Sequence, residues 1–350
     1  VPDLRDTVTM ASLIKVTGAQ VQLDPPEISI DASTVHTPEA PYELVKTMRA
    51  SFYVLGPLLA RFGKAKISLP GGCAWGPRPV NFHIEALKQM GAKITLADGN
   101  IICKGKLKGA RIKFERKSVG ATGNIIMAAC QATGTSEIFN AACEPEIVDL
   151  CNFIDLIGIK IKGIGTDHLI IYPNKDEIKE VKYSVIPDRI EAGTFMIAAL
   201  LTKGSIVLEN VDVSHLKIII EKLKNAGAEI NKISNSSIGI KYVKKINPVS
   251  IETSEYPGYP TDLQAQWMSL MAIAEGSSTI KENIYKDRFT HISELNRFGA
   301  NIAFKKNIAL INGVTSLVSA PVMSTDIRAS ASLIIAALAL LIAQILTYGA

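Results

Sequence analysis

The sequence predicts an α/β fold of two domains, each with helices at its centre and sheets outside. Three observations carry this expectation. Two glycine-marked phrases recur along the 350 residues, both with a period of about 70. Each phrase joins a helix pattern to a β-branched strand, with glycine where a helix C-cap wants it. The helices ahead of one set of glycines are apolar nearly all round, which fits only a buried helix. At ~150 residues per domain the length also implies about two domains. The division is placed at residues 1–186 and 187–350.

The first phrase is Thr17-Gly18-Ala19-Gln20-Val21, then Met90-Gly91-Ala92-Lys93-Ile94, Ala226-Gly227-Ala228-Glu229-Ile230 and Phe298-Gly299-Ala300-Asn301-Ile302, with a weaker copy at Ile157-Gly158-Ile159. The second is interleaved with it, at Gly63, Gly134, Gly204 and Gly276. Two independent markers with one period predict a structural repeat longer than the common solenoids. Amphipathic helices are expected at 8–16, 83–90, 147–157, 215–226 and 291–298. Buried helices are expected at 125–132, 195–201 and 267–274.

The buried helices begin alike, with Lys117-Ser118-Val119, Pro187-Asp188-Arg189, Thr261-Asp262-Leu263 and Thr325-Asp326-Ile327-Arg328. Ser, Thr and Asp cap helix N-termini, and those termini also attract anions. Arg49, Arg78, Arg116, Lys117, Arg189, Arg288 and Arg328 fall in or near such connections. They form an anionic-substrate cleft or, read singly, ordinary caps and surface charges.

The stretch Leu69-Pro70-Gly71-Gly72-Cys73-Ala74-Trp75-Gly76-Pro77-Arg78-Pro79-Val80 reads as a loop of special backbone geometry. A cation near a thiol favours thiolate, so Cys73 beside Arg78 reads either as a nucleophile or proton donor, or as an inert turn cysteine. The other four cysteines, Cys103, Cys130, Cys143 and Cys151, fall in strand or helix patterns and read as core. Asp262 reads as a helix cap or as a base.

Composition narrows the function classes. With 38 Lys+Arg against 33 Asp+Glu, the net charge of +5 does not suit a nucleic-acid coat. Five cysteines with no CxxC pair point to a reducing, cytoplasmic compartment. The scattered histidines and the lack of P-loop or GxGxxG phrases leave no metal or cofactor expected. Residues 329–350 carry no charge, which suits a membrane span or, preferably, a buried core helix. That tail and the Val1 start together suggest a fragment.

At these residues the chain resembles the UDP-N-acetylglucosamine enolpyruvyl transferases. The resemblance runs in order through Ala40-Pro41-Tyr42-Glu43-Leu44-Val45-Lys46-Thr47-Met48-Arg49, the cysteine loop, Lys117-Ser118-Val119-Gly120-Ala121-Thr122, Glu144-Pro145-Glu146-Ile147, Pro187-Asp188-Arg189-Ile190-Glu191, Pro260-Thr261-Asp262-Leu263-Gln264-Ala265-Gln266, Asp287-Arg288-Phe289 and Thr325-Asp326-Ile327-Arg328-Ala329-Ser330. It implies a two-domain inside-out α/β barrel built from βαβαββ units. It also implies transfer of the enolpyruvyl group of phosphoenolpyruvate to the 3′-hydroxyl of UDP-N-acetylglucosamine with release of phosphate, the first committed step of peptidoglycan synthesis. Residue by residue, Cys73 resembles the family's loop proton donor and Asp262 its base. Arg49 and Arg78 resemble substrate-anion ligands, and Arg288 and Arg328 cleft arginines. Arg78, Pro79, Val80, Asn81 and Phe82 resemble one nucleotide-sugar segment; Arg116, Lys117, Ser118 and Val119 resemble another, and Ile284 a further contact.

The chain departs from the family pattern in four places. Asn81 stands where Asp is usual and Trp75 where a smaller residue is usual. A Lys and an Arg that hold phosphoenolpyruvate in the family have no match, and the likeness stops after Ala339. From this, the 350 residues are expected to bind the nucleotide sugar weakly at best and to release no phosphate. Two alternatives stand beside the main reading. A shikimate-type enolpyruvyl transferase shares the architecture but lacks the Pro-Gly-Gly-Cys loop. A non-catalytic nucleotide-sugar-binding protein would keep the cleft and lose the chemistry.

Overall fold

A computed structural model describes residues 1–68, 80–174, 178, 180–285, 288–324 and 326–348, without the side chains of Arg49 and of residues 342–348. The chain divides into two compact units, Val1–Val185 and Ile186–Ala350.

Unit 1 opens with α1 (Arg5–Val16) and the antiparallel pair β1 (Gln20–Asp24) and β2 (Glu27–Asp31). A complete βαβαββ repeat follows. It runs β3 (Glu39–Ala40), the short α2 (Tyr42–Val45), a 3-10 turn over Arg49–Val54, α3 (Leu55–Phe62), β4 (Lys64–Ser68), α4 (Asn81–Gln89), β5 (Lys93–Ala97) and β6 (Asn100–Lys104). Its sheet order is β3-β4-β6-β5, with β3 parallel to β4 and the other pairs antiparallel. The next repeat copies it: β7 (Arg111–Lys113), α5 (Val119–Ala129), β8 (Ser136–Phe139), α6 (Pro145–Leu156), β9 (Ile161–Lys162) and β10 (His168–Ile171), in the order β7-β8-β10-β9.

Unit 2 repeats the scheme. It begins with α7 (Arg189–Leu201), β11 (Ser205–Glu209), a 3-10 turn over Val213–Leu216 running into α8 (Lys217–Asn225), β12 (Ala228–Lys232) and β13 (Ser237–Tyr242). Then come β14 (Ile251–Glu252), a 3-10 turn over Thr261–Leu263 leading into α9 (Gln264–Met271), β15 (Ser277–Lys281), α10 (His291–Arg297), β16 (Asn301–Lys305) and β17 (Ile308–Asn312), before the long α11 (Ile327–Tyr348). The sheets run β11-β13-β12 and β14-β15-β17-β16.

The glycine markers do the work their spacing predicts. A strand starts one to three residues after each of the nine. Eight of the glycines adopt positive φ, where a side chain would be strained. At Gly204 the left-handed residue is instead its neighbour Lys203, φ 56°.

The helices lie inside and the sheets outside, an inside-out α/β barrel in each unit. All eight residues of α9 are buried, as is most of α5. Trp267 is fully buried, donates from Nε1 to the Val249 carbonyl at 3.1 Å and meets Tyr259 edge-on. One expectation needs correcting. Phe195, read as part of an all-round buried helix, is 52% exposed on α7, whose buried positions are Ala192, Gly193, Met196, Ile197, Ala199, Leu200 and Leu201. Helix α11 packs one face on α9, where Ser269 donates to the Ser332 carbonyl at 3.0 Å, and leaves Ile334, Leu338 and Leu341 exposed. Among the described residues no helix is long and apolar enough to cross a membrane.

Candidate active site

In unit 2 the Thr261–Leu263 turn places Asp262 against two guanidiniums from distant parts of the chain. Arg288, in the connection from β15 to α10, reaches Oδ1 with Nη2 at 3.0 Å. Arg328, in the first turn of α11, donates from Nε to the same oxygen at 2.5 Å. The carboxyl therefore faces the arginines and makes no cap hydrogen bond to its own helix. The fold explains the meeting. Both α9 and α11 begin the buried-helix position of successive repeats, so their N-terminal residues come together.

The arginines differ in setting. Arg288 is 3% exposed, and its Nη1 donates to the Thr261 hydroxyl at 2.6 Å while its guanidinium carbon lies over the Tyr285 ring, 4.7 Å from the ring centre. Arg328 keeps about 30% of its side-chain surface and sits behind the Asp326 cap, which accepts from its backbone N–H at 2.9 Å. Burial alone would raise the Asp262 pKa. The Arg328 and Arg288 charges, with the hydrogen bonds they donate, outweigh it and hold the carboxyl below its ordinary value. The site thus joins one ionised carboxyl to two cations, with about a third of the Asp262 side chain open to solvent.

Ile284 lies on the turn that follows β15. It is half-buried, and its N–H is engaged by the side chain of Glu282 at 2.9 Å. Arg189, the first residue of α7, stacks over Tyr256 at 5.6 Å, while Asp188 caps that helix by accepting from the N–H groups of Ile190 and Glu191.

In unit 1 the two expected nucleotide-sugar segments meet. Val80, Asn81 and Phe82 open α4, and Arg116, Lys117, Ser118 and Val119 lead into α5. The Arg116 guanidinium lies 5.5 Å over the Phe82 ring, which itself packs edge-on to Phe114. Ser118 caps α5 by accepting from the Ala121 N–H at 3.3 Å. Asn81 and Val119 are exposed, and Lys117 points Nζ to Cys143 Sγ at 3.6 Å. One side chain that sequence reasoning missed holds this arrangement. Asn124 accepts from the Gly56 N–H at 2.7 Å and donates to the Phe52 carbonyl and to His83 Nδ1, each at 3.1 Å. It thereby ties α5 to α4 and to the turn that begins at Arg49. The amide is oriented by the N–H it accepts and the carbonyl it meets, so His83 Nδ1 is an acceptor and its proton sits on Nε2. A lone Asn inside Val119-Gly120-Ala121-Thr122-Gly123-Asn124-Ile125-Ile126 was the available signal.

Cys73, Arg78 and Pro79 lie outside the described residues, as does the Arg49 side chain. The remaining cysteines contrast with the expected reactive one. Burial pushes the thiols of Cys103, Cys130 and Cys151 up to about 11, 12 and 12. Cys143 is also raised by burial, against the pull of Lys117. Among the described residues no cluster of His, Cys, Asp and Glu can hold a metal ion.

Residues 1–346 match the family described as EPSP synthase (3-phosphoshikimate 1-carboxyvinyltransferase). The chain is 52% identical over 342 residues to the UDP-N-acetylglucosamine 1-carboxyvinyltransferase of Chloroherpeton thalassium, covering 97% of this chain and 79% of that protein. It is 48% identical over 340 residues to the protein of the same name from Campylobacter hominis, with 97% and 81% covered. Among solved structures, the enolpyruvyl transferase NikO from Streptomyces tendae matches with a TM-score of 0.84 at 23% identity, over 97% of this chain and 81% of that one. EPSP synthase from Acinetobacter baumannii matches with a TM-score of 0.68 at 18% identity, over 95% and 80%. The structural likenesses bear on the fold and the sequence likenesses on the family: the chain belongs to the enolpyruvyl (1-carboxyvinyl) transferases, among the UDP-N-acetylglucosamine 1-carboxyvinyltransferases.

Proposed function

We propose that this protein transfers the enolpyruvyl group of phosphoenolpyruvate to the 3′-hydroxyl of UDP-N-acetylglucosamine, with Asp262 as the base and Cys73 as the proton donor. The observation that carries the reading is the carboxyl of Asp262 held between Arg288 and Arg328. A base must be ionised at neutral pH and within reach of the hydroxyl it deprotonates. The arginines secure the first condition. They also lower the carboxyl's basicity. An anionic substrate drawn to the same guanidiniums would share their charge and restore it, which couples proton removal to binding. In the addition step the sugar oxygen bonds to C2 of phosphoenolpyruvate, its proton passes to Asp262, and C3 takes a proton from Cys73. Loss of phosphate and of a C3 proton then regenerates the double bond.

The unit 1 segments supply the features that a nucleotide sugar needs. Phe82 and Arg116 offer a stacked aromatic–guanidinium surface, and Lys117 and the α5 N-terminus offer charge for a diphosphate. Arg49 and Arg78 are assigned to substrate anions. A cytoplasmic location accords with both substrates, as does a place in peptidoglycan synthesis.

Phosphate release from phosphoenolpyruvate by the full-length enzyme, measured with each acceptor, tests the reading. Release that depends on UDP-N-acetylglucosamine supports it, and release with 3-phosphoshikimate alone overturns it. Binding of UDP-N-acetylglucosamine without any phosphate release would favour a non-catalytic nucleotide-sugar-binding protein instead.

Alkylation gives an independent check on Cys73. Thiolate is the reactive form, and the buried thiols of Cys103, Cys130 and Cys151 titrate at about 11 or 12. Brief iodoacetamide treatment at pH 7 is expected to label Cys73 alone, and so is an epoxide mimic of phosphoenolpyruvate such as fosfomycin. Peptide mapping that finds Cys103 or Cys151 labelled first would remove Cys73 from its assigned role.

A further inference from the structure

We propose that Glu282 is a positioning residue of the transfer reaction: its buried carboxyl fixes the Thr261 hydroxyl, and that hydroxyl holds Arg288 against Asp262. The inference rests on the assignment of Asp262 as the base. Glu282 directly follows β15 and is completely buried. Its Oε2 accepts from the Thr261 hydroxyl at 2.9 Å. Its Oε1 accepts from the Thr253 hydroxyl and from the N–H groups of Ile284 and Tyr285, each at 2.9 Å.

A hydroxyl has one proton to give. Thr261 gives its proton to Glu282, so it presents only lone pairs to Arg288. Nη1 of Arg288 donates to them at 2.6 Å, which leaves Nη2 on Asp262 Oδ1 at 3.0 Å. The same Glu282 carboxyl anchors the turn that carries Ile284 and Tyr285, the latter being the ring beneath Arg288. One side chain therefore sets the guanidinium partner of the base and the backbone of the expected sugar contact. Among the described residues, the charged groups on Asp262 are Arg288, from the β15–α10 connection, and Arg328, from α11. Glu282 stands behind Thr261, and the buried His291 of α10 stands behind Arg288.

Glu282→Gln separates positioning from simple support of the turn. The Oε1 side faces two backbone N–H donors, so the amide oxygen takes that side and the turn keeps its bonds. The amide NH2 then faces Thr261 and donates to its oxygen. The hydroxyl proton then has no carboxylate to hold it in place, so the lone pair facing Arg288 is no longer fixed and the guanidinium loses its firm hold. The shape hardly changes, so the melting temperature is expected to stay near that of the parent chain.

The expected result is an Asp262 carboxyl that titrates at higher pH than in the parent chain, followed by carboxyl 13C NMR on aspartate-labelled protein. At saturating substrates, UDP-N-acetylglucosamine-dependent phosphate release should fall at least about tenfold. In a Thr261→Val background, where no hydroxyl remains, Glu282→Gln should change neither quantity further. Thr261→Ser should retain both. If Glu282→Gln leaves the Asp262 titration in place, the proposal is overturned, whatever happens to the melting temperature. A full-length parent enzyme that releases no phosphate, yet shows the Asp262 shift on Glu282→Gln, would sink the transferase reading and leave the positioning role standing.

Discussion

In the full-length enzyme, Asp262→Ala is expected to lower phosphate release by about 10²–10⁴-fold per folded molecule, the usual contribution of a positioned base. The Michaelis constant for UDP-N-acetylglucosamine should move by much less. Alanine has two effects, however. It removes the base, and it leaves Arg288 buried without its carboxyl partner, which destabilises the unit as well. Asp262→Asn separates the two. The amide keeps an oxygen for the guanidiniums and the shape of the side chain, but it cannot take a proton at neutral pH. Both variants should therefore lose turnover to a similar extent, while Asn stays closer to the parent in stability. Turnover of the Asn variant within a few-fold of the parent would reduce Asp262 to an anchor for two arginines.

The legibility of this chain follows the length scale of the signal. The repeat was plain because each glycine has a backbone task that few residues can share, and the tasks recur at fixed intervals. Helix existence was plain too, whereas helix ends shifted by a few residues. Helix α6 starts at Pro145 rather than 147, since proline suits the first turn and adds no periodic signal. Helix α4 starts at Asn81 rather than 83. Sequence pattern left Asp262 as a base or a cap, because both fit a helix start; the structure turns its carboxyl to Arg288 and Arg328, a long-range meeting that no local pattern encodes. Phe195 misled because a helix written in apolar letters can still turn one ring outward. Glu282 and Asn124 were missed for opposite reasons. Glu282 sits among Lys281, Asn283 and Lys286 and reads as exposed loop. Asn124 is hidden in an apolar run, where only its polarity is out of place.

The Asn124 network sets the second large effect. Gly56 is the second residue of α3, so its N–H has no partner within the helix, and Asn124 Oδ1 supplies one. Asn124→Ala would leave that N–H and His83 Nδ1 without partners in a closed site, and would open a small cavity. Each buried unpaired group costs about 1–3 kcal/mol, so unit 1 should lose on the order of 3 kcal/mol. Protection of α5 against hydrogen exchange should fall accordingly.

Asn124→Asp tests the same network through pH. Burial lowers the pKa of His83 to about 4 from its ordinary 6.5. Between those values the unfolded chain binds a proton that the folded chain refuses, so the parent's unit 1 loses stability as pH falls from 6.5 towards 4. An aspartate beside His83 favours the imidazolium and raises that pKa, so the variant should lose little over the same interval even though it starts less stable at pH 7. The variant thus gains on the parent as the solution is acidified. His291 in unit 2, lowered to about 3, titrates in both proteins alike, so the comparison is read from α5 amides rather than from global melting. Equal losses of α5 protection between pH 7 and pH 5 in the two proteins would mean that His83 is not held neutral by this site, and the tautomer assigned through Asn124 would fall with it.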